Sequence, residues 1–343
     1  MAGIAATLLD QAIINSREGF KKYEHRVPKG EVIKAFLDYK DEVVPTSVME
    51  AAKVSKRRPA TIPVIKRGTT TVGTARAINP TPDRAETALV TPTWSTKTFS
   101  IAISPSVVND NMIGFTELFN QRVYDSLIDV FFKGTNALEK QLVTLLEASK
   151  YATPPASTVD GVVSDSGAYI LTAEDFLIKA PVIMEELDMV GPFQDMGNVG
   201  SMGRQRDNAT YGRMNSRDVS QYMKDLTYYY SKNIAVEGAY EESHYLTQPG
   251  SLALLNIIEF DARNRTAHAS GVYDTYVDPI FGFEWGVRIV SDPSDQTSNY
   301  GAGQERAVEY RYDFAADFAP VIAYSSTSAS PIVKMNVGTY VEA

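Results

Sequence analysis

The chain has no cysteine, only three histidines and no long apolar run, and each shortage excludes something. Without cysteine among 343 residues there can be no disulfide, thiolate metal site, iron–sulfur cluster or cysteine nucleophile. His25, His244 and His268 lie far apart in sequence, so a histidine-rich metal site is not expected. The longest strongly apolar stretch, Leu252–Phe260, is interrupted by Asn256 and Glu259. It falls well short of the roughly 20 residues that a membrane helix needs. The opening MAGIAATLLDQAII has no basic segment and meets Asp10 early, which argues against a signal peptide. The expectation is a soluble protein made in the cytoplasm, without membrane contact.

What is present describes a folded protein with an uneven charge. Hydrophobic residues make up 44% and charged residues 22% of the chain, ordinary for a globular protein and wrong for a disordered one. A mass of 37.7 kDa suits two or three subdomains. The net charge of −9 is split along the sequence. Residues 1–90 hold 15 Lys and Arg against 10 Asp and Glu, whereas the remaining 253 hold 18 against 32. A basic N-terminal third and an acidic body suit copies that lie over one another, because complementary potentials fix register. A basic tail that is simply solvated is the plainer reading.

Hydrophobic spacing divides the chain further. Ile4–Arg17 and Glu31–Asp41 carry short helical stripes, and Thr46 or Ser47 can cap a third helix that stops before Pro59. These pieces share no evident core and read as an arm. Thr61–Ile65 and Ala88–Ile103 read as strands flanking Gly68–Glu86, a polar stretch with almost no large apolar residue. Thr116–Lys150 contains no proline and repeats Phe119, Val123, Leu127, Phe131, Leu138, Leu142, Leu145 and Leu146 on one face. That spacing predicts a helix of roughly 50 Å with Thr116 as its N-cap and Gly134 allowing a kink. A second helix is predicted from Thr172, capped through Asp175 and bent at Pro181. Met196–Arg217 reads as a loop and Val219–Tyr230 as a helix. Leu252–Phe260 fits either a helix or a buried strand. Phe283–Val290, Ala307–Phe314, Ala319–Tyr324 and Ile332–Val341 read as strands.

No chemical constellation stands out. Gly197, Gly200 and Gly203 lack the strand and the Lys-Ser/Thr that a phosphate loop requires. Glu185–Glu186 and Glu241–Glu242 are adjacent pairs, which do not converge on one helical face, and read as a solvated helix surface and a polar loop. His244 and His268 read as surface or hydrogen-bonded residues. Lys53, Lys56, Arg57 and Arg58 form the densest basic cluster, without aromatic residues between them for base stacking. A diffuse contact with nucleic acid or an acidic neighbour suits it better than sequence recognition. No catalytic, cofactor-binding or metal residue is assigned, and the chain is not expected to be an enzyme.

The order of elements resembles the major capsid proteins of tailed bacteriophages, the fold first seen in the Hong Kong 97 phage. The resemblance implies an α+β chain with five parts: residues 1–59 as N-terminal arm, 60–98 as an extended β loop (the E-loop), 99–152 as a peripheral domain with a long spine helix, 153–282 as a mixed α/β axial domain, and 283–343 as strands returning through both. It implies a subunit that assembles into pentamers and hexamers of an icosahedral shell around double-stranded DNA, located in the virion and assembled in the host bacterial cytoplasm. Scaffolding, portal and decoration proteins and packaged DNA are the implied partners besides the chain itself; no cofactor is implied. Unlike many such proteins, the sequence shows no long charged scaffolding segment at its start. Encapsulin-like nanocompartment shells share the fold, and a tail protein or a β-rich enzyme with a helical extension are further alternatives. Candidate contacts between subunits are Arg57, Arg58, Lys66, Arg67, Arg76, Arg84 and Trp94, since arginine and tryptophan commonly anchor interfaces.

Overall fold

The computed structural model describes residues 27–28, 31–55, 57–65, 87–103, 114–211, 222–238, 240–268, 271–292, 309–323 and 330–338. Three short helices, α1 (Val32–Leu37), α2 (Lys40–Val43) and α3 (Thr46–Val54), precede the strands β1 (Ile62–Ile65), β2 (Thr87–Val90) and β3 (Ser95–Ile103). Helix α4 (Phe115–Ile128) passes through a π turn, Asp129–Lys133, and α5 (Leu138–Ser149) follows. Next come β4 (Val163–Asp165), β5 (Ala168–Leu171), α6 (Phe176–Glu186), β6 (Phe193–Asn198), α7 (Val199–Tyr211) and β7 (Leu226–Ser231). The chain continues through β8 (Glu242–Thr247), β9 (Leu252–Ile257), α8 (Phe260–Arg263), β10 (Ala267–His268) and β11 (Gly271–Val277). The last strands are β12 (Glu284–Asp292), β13 (Glu309–Ile322) and β14 (Ile332–Val337).

The strands form a ribbon and two sheets. Among the described residues β1 pairs with β2 alone. One sheet runs β10-β11-β12-β13-β3, with β9 also paired to β13. The other runs β4-β5-β14-β8-β6-β7. β13 organises the first sheet. Its residues 309–315 pair with β12 and 317–322 with β9, while β3 takes the opposite edge over 310–318. The chain is thus α+β, as the resemblance implies. The two strands expected at Ala307–Phe314 and Ala319–Tyr324 are one, because Ala315–Asp317 stay hydrogen-bonded to β3. Strands β9 and β11, which the sequence reading groups with the segment 153–282, hydrogen-bond into the sheet that also holds β3.

Two apolar clusters dominate. The larger sets α4, the π turn and α5 against the first sheet, with Phe119, Phe131, Trp285, Tyr312, Phe314 and Phe318 all buried. Phe99 stacks on Phe314 at 4.5 Å between ring centres. The smaller sets Phe176, Leu177, Ala180, Ile183 and Met184 of α6 against Tyr169, Leu246, Val333 and Met335 of the second sheet.

The single 50 Å helix is not formed. Gly134 ends the π turn by donating its N–H to the Asp129 carbonyl at 2.7 Å, and a Cβ at Gly134 would stand 2.8 Å from that same oxygen. The π turn buries the consecutive Phe131 and Phe132, which an α-helix advancing about 100° per residue presents less readily to one surface. Beneath the break Lys97, buried on β3, donates from Nζ to the Asn136 carbonyl at 2.6 Å. The N-cap position of α4 is Gly114 rather than Thr116, with no side-chain cap bond.

The first helix of the segment read as an arm packs closely on the body. Val32, Ile33, Ala35 and Phe36 of α1 are fully buried and belong to the larger core cluster. Helix α1 fills the space between β9, α5 and the strands β6 and β7, so it meets apolar surface on more than one side. The remaining differences lie in the second half. Val219–Tyr230 holds a short 3-10 turn (Tyr222–Asp225) and strand β7 rather than a helix. The expected loop at Met196–Arg217 contains the end of β6 and helix α7. Leu252–Phe260 resolves to strand β9 followed by the start of α8, the strand being recruited by β13. The helix expected over Ile4–Arg17 lies outside the described residues.

Candidate assembly surface

The ribbon is short and two-faced because side chains alternate along a strand. Ile62 and Val64 point into a small cluster with Val43, Val44, Ala253, Leu255, Ala319 and Val321, and Ala88, Val90 and Trp94 pack beside it. The opposite face carries Pro63 paired with Leu89 and Ile65 paired with Thr87. On that face Leu89 is 70% exposed and Ile65 47%. Val54, at the end of α3, is 75% exposed as well. An apolar face on a two-stranded ribbon gains nothing from water, and such a ribbon is marginal without a partner surface.

Among the described candidate contact residues, Arg58 and Trp94 have side-chain partners inside the chain. Arg58 meets Asp317 of β13 through two bonds of 2.8 Å, from Nε and Nη2, and donates to Thr96 Oγ1 at 2.6 Å. The indole N–H of Trp94 donates to the Pro59 carbonyl at 3.0 Å, tying the chain after α3 to the strand that follows the ribbon. Arg57 stands beside Arg58 in a groove of about 490 Å³ whose wall includes Thr96, Phe260, Asp261 and Asp317. The structure therefore brings Arg57, Arg58 and Trp94 to one region beside the ribbon base. Lys66, Arg67, Arg76 and Arg84, with the polar stretch Gly68–Glu86, lie outside the described residues.

The strongest polar constellation is elsewhere, inside the second sheet, and sequence reasoning missed it. Glu242, expected in a polar loop, is on β8 and its side chain is nearly buried. His244, two residues on, is fully buried. Its Nδ1 lies 2.8 Å from Asp195 Oδ1 on β6, and its Nε2 lies 3.1 Å from Glu242 Oε2. Arg204 of α7 clasps Glu242, with Nε 2.9 Å from both carboxylate oxygens, and donates to the Ala173 carbonyl. The Phe176 ring covers the imidazole at 4.2 Å. Burial alone would lower the His244 pKa, but the charge of Asp195 and the hydrogen bonds that the ring makes to both acids raise it above the ordinary value. Burial likewise opposes ionisation of Glu242, yet bonds from His244 and Arg204 hold it down to about 2. The signal available in sequence was the Glu-x-His alternation of a strand, which by itself says nothing about Asp195 or Arg204.

The cluster also explains Gly197. A Cβ there would sit 2.4 Å from Ser201 Oγ and 3.0 Å from His244 Nδ1. With His244 sealed from solvent, this arrangement braces β6, β8 and α7 against one another. Among the described residues no group of three or more His, Asp or Glu side chains is placed to hold a metal ion. Among them, too, no helix is long and apolar enough to cross a membrane.

No family model and no curated protein matches the chain. Solved structures do resemble it. A chain from Mycobacterium phage Che8 is 9% identical over 85% of this chain and 88% of that one, with a TM-score of 0.46. A chain of the mature capsid of bacteriophage PhiM1 is 10% identical, covering 83% of this chain and 84% of its own, at 0.41. A chain from the capsid of cyanophage P-SCSP1u is 8% identical, with coverages of 82% and 84% and a TM-score of 0.42.

Proposed function

We propose that this chain is a structural subunit that assembles with copies of itself, through pentamers and hexamers, into a closed icosahedral shell enclosing a phage double-stranded DNA genome. The observation that carries the reading is the outward face of the ribbon, where Leu89 and Ile65 are exposed and apolar with no cover from the chain's described residues. A copy laid across a neighbour would bury that face, and cyclic repetition would multiply the gain around each ring. The charge division supports the same arrangement, since residues 1–90 are net basic and the rest strongly acidic. In this reading the first sheet with α4 and α5 is the peripheral domain, the second sheet is the axial domain, and Arg57 and Trp94 stand where the ribbon base meets a neighbour.

The role is structural and not enzymatic: the one dense His/Asp/Glu cluster among the described residues is sealed inside a sheet. Scaffolding, portal and decoration proteins would be further partners, and packaged DNA a non-specific one. The shell would belong to the virion and be assembled in the host bacterial cytoplasm.

Negative-stain imaging of the concentrated, purified chain tests the reading. Uniform closed shells are expected, and persistent monomers would overturn it. Nuclease-resistant DNA inside shells isolated from infected cells separates a genome container from a protein-filled nanocompartment.

A further inference from the structure

A cavity of about 500 Å³ opens between β3 and the break that separates the π turn from α5. Two independent sources of positive charge face it. The first is Lys97, which lies on the inward face of β3 with Ile101 and Ile103 and is 6% exposed. An ammonium carries three N–H donors. One goes to the Asn136 carbonyl at 2.6 Å. Among the described residues the others meet no acceptor, and no carboxylate pairs with the charge. Burial lowers the Lys97 pKa below its ordinary value, and no neighbouring acid offsets that effect. A buried cation without a counter-charge is costly.

The second source is the start of α5, a helix of 12 residues. Its N-cap position is Ala137, whose methyl group cannot accept a hydrogen bond. Among the described residues no side chain accepts from the amides of Leu138, Glu139 or Lys140. The helix dipole adds partial positive charge at the same end. Asn136 and Ala137 line the cavity together with Lys97. The rest of the wall is largely polar. Ser95 Oγ donates to Gln141 Oε1 at 3.1 Å, which leaves the Gln141 amide N–H groups free to donate, and Thr98 adds a hydroxyl. Among the described residues Asp129 is the one acid in the wall; it is exposed and makes no ion pair with Lys97.

We propose that this cavity is an oxyanion site, in which Lys97 and the first turn of α5 together hold one carboxylate or phosphate group. Such a group supplies the missing counter-charge and accepts from the uncapped amides at once. It can come from solution or from an acidic side chain of another copy, which the acidic stretch beyond residue 90 offers in number.

Hydrogen exchange on the dilute, unassembled full-length chain tests the site, in sodium phosphate and in sodium chloride of equal ionic strength. Phosphate should slow exchange of amides 138–140 with a saturable midpoint, and at about ten times that midpoint protection should rise about tenfold. The response should be confined to residues 95–98 and 136–141, so uniform slowing along the chain would overturn the proposal without need of a variant. Lys97→Met keeps the apolar stem and drops the unpaired charge, so it should fold at least as well as the wild type in chloride and lose the phosphate response. An equal response in Lys97→Met would defeat the assignment. Raising the protein concentration in chloride alone separates the two sources. Protection at 138–140 that then appears, and is absent from Lys97→Met, identifies a side chain of another copy, whereas protection that needs phosphate identifies a free anion. No response to either phosphate or protein concentration would overturn the site.

Discussion

The ammonium of Lys334 lies 3.0 Å from Glu147 Oε2 and so joins an interior strand of the second sheet to α5. Its side chain is 2% exposed, and Glu237 lies 2.8 Å away on its other side. Burial tends to raise the Glu147 pKa, but bonds from Lys150, Tyr245 and Lys334 hold it down to about 2. The layer of helices and the second sheet therefore share one ionic joint.

Lys334→Met should lower stability at pH 7 by about 2 kcal/mol. Breaking a buried pair costs roughly 3–5 kcal/mol, and the two acids here are partly solvated, which roughly halves it. A depressed carboxylate contributes above its ordinary 4.5 and loses that contribution as the pH falls towards about 2. Urea denaturation of both proteins should thus show a gap that is full at pH 7 and narrower at pH 3. A gap below about 0.5 kcal/mol at pH 7, or one that does not narrow, contradicts the joint.

His244→Phe leaves Asp195 buried opposite an apolar ring and Glu242 with Arg204 alone. The expected loss is roughly 3–5 kcal/mol, seen as a lower denaturation midpoint. Because the histidine is raised by its acids, its contribution is complete below about 6.5 and fades as the pH climbs through the higher folded-state value. The wild type should lose stability on the alkaline side more steeply than the variant. Parallel curves would mean that His244 is neutral in the folded chain.

Gly197→Ala forces a methyl against Ser201 Oγ and His244 Nδ1 and should cost about 1–3 kcal/mol. Adding Ser201→Ala removes the closer of the two contacts. The double variant should then be less destabilised than the sum of the singles, by an amount a double-mutant cycle resolves. Simple additivity would show that the backbone shifts away from both neighbours instead.

Leu89→Asp should leave monomer stability within about 0.5 kcal/mol, because the residue is largely exposed. Assembly, followed by light scattering and imaging, should fail. Normal shells from this variant would remove the ribbon face from the contact surface.

Trp94→Ala should loosen the link to Pro59 and reduce the yield or thermal stability of assembled particles. Assembly with unchanged yield and stability would show that Trp94 serves only its own chain.

Local pattern was a good guide wherever an element has one apolar face and a uniform partner. The stripe Phe176, Leu177, Ala180, Ile183, Met184 predicts α6, and that face covers one sheet. β3 and β12 alternate and were legible for the same reason. The pattern misled where a segment meets several surfaces at once. Helix α1 looks like a fragment without a core because its core is assembled from β6, β7, β9 and α5, far apart in sequence. Strand β7, Leu-Thr-Tyr-Tyr-Tyr-Ser, carries no clean period, and its parallel pairing with β6 decides its conformation. The candidate contacts divide similarly. Arg58 and Trp94 were picked out as residue types, but only the fold reveals Asp317 and Pro59 as their partners.

The sequence by itself determined the absence of any disulfide or thiolate chemistry, the opposed charges of arm and body, and the strand and helix character of the strongly periodic segments. These are additive properties, readable residue by residue. Tertiary structure alone decided that the interruption near Gly134 takes the form of a π turn burying Phe131 and Phe132, that α1 is core, and that Asp195, Glu242, His244 and Arg204 form one buried cluster. Each of those depends on where distant backbone places its carbonyls, rings and charges. A histidine joins a buried cluster of two acids and an arginine only when folding removes the water and supplies the neighbours.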